Sequence, residues 1–106
     1  MNLRFTPQAR ADLLEIRRYI SSDLHNETAA ERITRTILSS SSNLKSFPQM
    51  GIALSEKIKV QTDIRYIISE KYLVFYTIEE NFISVVRILD SRTNYMQTLL
   101  GYDMVQ

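Results

Sequence analysis

The chain has 106 residues, a formal net charge of +1 and no cysteine. That length bounds it to one domain with one modest core. The missing cysteines exclude disulfides, zinc–thiolate sites and cysteine nucleophiles, and they fit a reducing cytoplasm. The near-neutral charge means that any affinity for nucleic acid must come from local placement of cations. No apolar run approaches the roughly 20 residues of a membrane span, and no signal-peptide block opens the chain. No internal repeat is visible.

Leu3-Arg4-Phe5 alternates and suggests a short edge strand. Thr6-Pro7 reads as a helix start, with Thr as N-cap and Pro in the first turn. Ala9, Leu13, Ile16 and Ile20 follow at helical spacing, and the helix should end between Ser22 and Leu24. Thr28 with Glu31 forms a capping-box pattern for a second helix, whose stripe is Ala30, Ile33, Ile37 and Leu44. Phe47-Pro48-Gln49-Met50-Gly51 closes that element, because proline cannot continue a helix and glycine supplies a turn.

Strand character is expected to return at Leu54 to Val60. Three apolar, β-branched and aromatic runs come next: Ile64 to Ile68, Tyr72 to Ile78 and Phe82 to Leu89. The gaps between them are too short for crossover helices, so they read as an antiparallel meander. Asp90 to Asn94 is a polar turn. Tyr95, Met96, Leu99 and Leu100 suggest a short C-terminal helix, and Gly101 to Gln106 a loosely held tail. The predicted fold is one α+β domain over 1–106. A two-helix hairpin packs on a four-stranded, mainly antiparallel sheet with a short C-terminal helix.

Lys57-Ile58-Lys59, read as strand, would put two ammonium groups on one face. Arg65 and Arg92 lie nearby in the chain. Metal-free RNA cleavage needs a base for the 2′-hydroxyl and cations for the charge growing on the phosphate. Arginine suits the second task through its permanent, forked charge. Each residue also has a plainer reading. Lys57 and Lys59 fit solvated guards of an exposed strand, Arg65 fits the polar face of a half-buried one, and Tyr95 fits a core aromatic. Arg87, inside an apolar run, reads as structural and paired with a carboxylate across the sheet. His25 and the Glu79-Glu80 turn read as exposed and non-catalytic.

The ordered set resembles the RelE/ParE toxins of type II toxin–antitoxin systems over nearly the whole chain. The resemblance is carried by Phe5 to Ile16, Tyr19-Ile20, Ala29 to Ile33, and Leu44 with the Pro48–Gly51 turn. Arg65, Tyr72 to Tyr76, Val86 to Leu89 and Arg92 complete it. The resemblance implies a growth-inhibiting toxin held by a cognate antitoxin in a hetero-oligomer. RelE-like members cut mRNA on the ribosome, whereas ParE-like members bind DNA gyrase and are not nucleases. In the nuclease reading, which the lysine pair and Arg65 favour slightly, Arg65 and Arg92 hold the phosphate. Lys57 or Lys59 then serves as base or further cation, and Tyr95 stacks or shuttles a proton. The gyrase alternative rests on the Tyr72 to Tyr76 run and the helical hairpin, and a third reading is an interaction module without toxicity. No metal, organic cofactor or membrane is implied. Leu13, Ile16, Met96, Leu99 and Leu100 are the expected antitoxin contacts.

Overall fold

The computed structural model describes residues 1–101. The order is β1 (Asn2–Phe5), α1 (Pro7–Arg18), α2 (Glu27–Ser42), β2 (Ile52–Ala53), α3 (Leu54–Ile58), β3 (Arg65–Ser69), β4 (Tyr72–Ile78), β5 (Phe82–Asp90) and α4 (Tyr95–Leu100). The sheet runs β1-β5-β4-β3-β2. It is antiparallel except that β1 lies parallel to β5 at one edge. The sheet therefore has five strands where four were expected. The α+β architecture with a helical hairpin and a short last helix is as expected. The expected loose tail falls, beyond Gly101, outside the described residues.

α1 starts as the sequence dictates. The Thr6 hydroxyl accepts a hydrogen bond from the Ala9 N–H, satisfying one of the orphan donors of the first turn. A π-helical turn over Tyr19–Asp23 follows, closed by Leu24 N–H to the Tyr19 carbonyl at 3.1 Å. α2 is capped by Asn26, whose Oδ1 takes the Ala29 N–H, so the start lies two residues before the expected Thr28 cap. Asn and Thr both cap well, and only the chain path between the helices decides which one does so here.

Alternation along the strands divides the core into two. On one face Ile67, Tyr72, Val74, Tyr76, Ile83, Val85 and Ile88 pack with Ala9, Ile37 and Leu44 beneath the helical hairpin. On the other, Tyr66, Leu73, Phe75 and Leu89 pack with Leu54, and α3 and α4 add Ile58, Tyr95 and Leu99. A strand buried on both faces reads as a continuous apolar run, which accounts for Tyr72-Leu73-Val74-Phe75-Tyr76.

The segment expected as strand from Leu54 to Val60 is instead the short helix α3. Leu54 and Ile58 are four apart, so one helical face carries both into the second core. Five residues suit a period of two or of four equally well, and the packing chooses four. Lys59 ends the helix with φ 55°, in the left-handed region.

Two long-range contacts fix the frame. β1 stops at Phe5, leaving the rest of the β5 edge open, and Asp12 of α1 fills the gap. Its carboxylate accepts from Arg87 Nε at 2.8 Å, Arg87 Nη2 at 2.9 Å and the Ile88 N–H at 2.9 Å. The expected carboxylate partner of Arg87 thus comes from the helix, not from across the sheet. At the other edge the Tyr76 hydroxyl accepts from the Gly51 N–H at 3.0 Å and donates to the Pro48 carbonyl at 2.7 Å. A Cβ at Gly51 would lie 2.6 Å from that hydroxyl and 2.7 Å from the Tyr66 carbonyl, so glycine is required by close approach.

Candidate functional site

Arg65 opens β3 opposite Tyr76, whereas Arg92 follows Asp90, which lies opposite Tyr72 at the other end of β4. Tyr72 and Tyr76 are four residues apart, a separation of roughly 14 Å along the strand. Arg65 also lies two strands away from β5. The two arginines are therefore at opposite ends of the sheet.

Each is already engaged. Arg65 Nη2 donates to the Gln49 carbonyl at 3.2 Å and the Gly51 carbonyl at 2.8 Å. Its Nε is buried without a partner. Together with Tyr76, it holds the Pro48–Gly51 turn against the sheet. Arg92 forms a fork on Asp90, Nε to Oδ1 and Nη2 to Oδ2, both at 3.0 Å, while its own N–H also bonds Oδ1. Arg92 holds the Asp90 carboxyl down at about 2 despite the opposing effect of burial, with Lys71 as a lesser contributor 3.6 Å away. Asp90 in turn raises the Arg92 guanidinium above its ordinary value. Arg92 is thus engaged by a carboxylate within the protein, although its side chain is exposed.

Lys57 and Tyr95 do meet, on the face away from the helical hairpin. Lys57 Nζ lies 5.6 Å from the centre of the Tyr95 ring and 5.5 Å from that of Tyr66. Phe75 sits between the two tyrosines, at 6.0 Å from Tyr66 and 5.7 Å from Tyr95. Cation–π contacts hold the ammonium, and among the described residues no carboxylate pairs with it. Tyr66 and Phe75 escaped the sequence reading as site residues. Their signal was the alternation that sends Arg65 to one face and Tyr66 to the other. Lys59, past the end of α3, does not share a strand face with Lys57.

Of the five residues singled out for chemistry, then, Lys57 and Tyr95 are brought together, whereas Arg65 and Arg92 are kept apart. His25 lies in the loop between the helices with φ 51°. Among the described residues no three His, Cys, Asp or Glu side chains converge as metal ligands, and no helix is long and apolar enough to cross a membrane.

The five apolar residues expected at a partner surface are all half-buried. Leu13 and Ile16 pack on the hairpin core, and Leu99 on the second core. The more exposed apolar side chains are elsewhere: Leu14 on α1, Phe47 and Met50 on the pinned turn, Ile52 on β2 and Ile68 on β3. Met1, Phe47, Pro48, Met50 and Ile78 line an apolar cleft of about 610 Å³.

The fold has a close counterpart of known structure, in a chromosomal ParDE toxin–antitoxin system from P. aeruginosa. The TM-score is 0.72 at 20% identity, covering 85% of this chain and 95% of that one. No curated protein matches the sequence. The family model described as the ParE toxin of the type II toxin–antitoxin system parDE matches residues 3–95. That span runs from β1 to the first residue of α4 and includes both arginines, the pinned turn and the Lys57–Tyr66–Tyr95 cluster. The chain belongs to the ParE toxin family, within the RelE/ParE superfamily.

Proposed function

We propose that this toxin arrests growth by binding DNA gyrase and not by cutting mRNA. The observation that carries the reading is the dispersal of Arg65 and Arg92. Transition-state stabilisation at a phosphate needs donors within about 3 Å of the reacting oxygens. Two arginines at opposite ends of a strand, each already bonded within the protein, do not supply them. Membership of the ParE family supports the same reading, since ParE-like toxins act on gyrase without nuclease chemistry. The functional surface is then one of contact with a protein, built from half-buried aromatic and apolar groups with isolated cations at their margin.

One observation favours the other reading. Lys57 and Tyr95 are adjacent, and a lysine over tyrosine rings is a reasonable place for a nucleobase or phosphate to rest. Controlled expression separates the two. A gyrase toxin elicits a DNA-damage response and filamentation with message intact. An mRNA interferase leaves cut transcripts, visible as new 5′ ends in primer extension, and intact chromosomes.

The partner that restrains the toxin is the antitoxin of the pair. Leu13, Ile16, Met96, Leu99 and Leu100 remain proposed contacts, supplying the rims of grooves rather than their exposed floors.

A further inference from the structure

We infer that the outward groove between α1 and α2 is the surface that grips gyrase, and that its occupant there is an acidic amphipathic helix of gyrase. The inference rests on the gyrase reading and names the part of the toxin that does the binding.

α1 carries only two carboxylates, Asp12 and Glu15, and both are engaged within the protein. Asp12 turns inward to Arg87, and Glu15 holds Arg18. On α2, Glu31 takes Arg35, Arg32 reaches Glu70, and Glu27 accepts from the Ser21 hydroxyl. Arg10 and Arg17 are left exposed, with no carboxylate partner among the described residues. They are two helical turns apart, so they share a face of α1 at a spacing of roughly 10.5 Å along its axis.

Leu14 stands between the two arginines on that face and is 67% exposed, and Leu38 of α2 is 42% exposed. Arg17, Glu31, Thr34, Arg35 and Leu38 line a cleft of about 330 Å³ between the helices. One exposed leucine needs no explanation. An apolar strip bordered by unpaired arginines does, and it matches the apolar face of an acidic helix lying in a groove. Carboxylates two turns apart on that helix would meet Arg10 and Arg17, each able to bond in a fork, with an aliphatic residue between them covering Leu14. DNA fits less well, because an apolar interval between cations has no counterpart along a phosphate backbone. A second copy would set arginine against arginine. The proposed antitoxin contacts Leu13 and Ile16 lie beside this strip on α1, so an antitoxin seated there crowds the groove without using the arginines.

The test compares the full toxin with two variants, Arg10→Glu combined with Arg17→Glu, and Leu14→Glu alone. All three positions are exposed, so the thermal midpoint by circular dichroism should stay close to the parent's. Inhibition of supercoiling is titrated, and binding to immobilised gyrase is timed at low and high salt. Each variant should raise the half-inhibitory concentration about tenfold or more, and the double reversal should slow association at low salt and flatten its salt dependence. Folded variants that inhibit as the parent does overturn this surface and leave the gyrase reading standing. A parent toxin that leaves gyrase untouched removes the reading and the surface together. Variants that lose affinity only for the protein encoded by the adjoining reading frame, by calorimetry, assign the strip to the antitoxin and overturn the proposal. So does a parent that retards gyrase-free plasmid when the double variant does not, because the occupant is then DNA.

Discussion

The Tyr76 hydroxyl gives the sharpest test of how the fold is held. Tyr76→Phe keeps the ring, which is fully buried in the hairpin core, and removes one oxygen. Two hydrogen bonds are lost, to the buried Gly51 N–H and to the Pro48 carbonyl. Gly51 has little room to move, since even an added Cβ there would lie 2.7 Å from the Tyr66 carbonyl. An orphaned buried donor costs about 1–3 kcal/mol, and the carbonyl, only partly buried, adds less. The sum is about 2–4 kcal/mol, a large share of the stability of a small domain. Thermal unfolding followed by circular dichroism should show a midpoint lowered by about 10–15 °C. Urea titrations should show a lower midpoint at unchanged slope, since the surface exposed on unfolding does not change. A loss below about 0.5 kcal/mol would mean that the turn is not anchored by this hydroxyl.

Asp12→Ala should be costlier still, by about 3–5 kcal/mol in urea unfolding, because it strands the part-buried Arg87 guanidinium and the Ile88 N–H. The double variant Asp12→Leu with Arg87→Met should recover part of that loss, and a purely additive double would contradict the pairing. Asp90 has its carboxyl depressed from 3.8 to about 2 in the fold. Its contribution is full above pH 3.8 and disappears as pH falls through about 2. Asp90→Asn should flatten that part of the urea-stability profile, and an unchanged acid limb would exclude the Arg92 fork as its source. Arg65→Lys loses the span across two carbonyls, so folded stability should drop while toxicity at a permissive temperature follows the folded fraction. A fully folded Arg65→Lys protein without toxicity would return Arg65 to the functional surface.

What the sequence disclosed depended on the range of the signal. The Thr6-Pro7 start is a local pattern and was readable, as were the apolar stripe of α1 and the three-run meander. α3 was misread because Leu54 to Ile58 is too short to distinguish a strand from one turn of helix, and the second core, assembled from β3, β4 and β5, made the choice. That single misreading also created the apparent Lys57–Lys59 pair. Arg65 was legible as a polar residue on a strand. Its partners are main-chain carbonyls, which leave no trace in side-chain identity. Arg87 was legible as a structural cation, but Asp12 lies 75 positions away and carries no mark of the pairing. The short β2, and with it the uncovered length of β3, is a property of where the pinned turn releases the chain.

The most direct measurement is gyrase supercoiling in vitro with the purified toxin, relaxed plasmid and ATP, run beside a translation extract whose message is mapped by primer extension. Expected is a dose-dependent block of supercoiling, relieved by the antitoxin, with the message left whole. Full supercoiling in the presence of excess toxin, together with cut message in the extract, would contradict it.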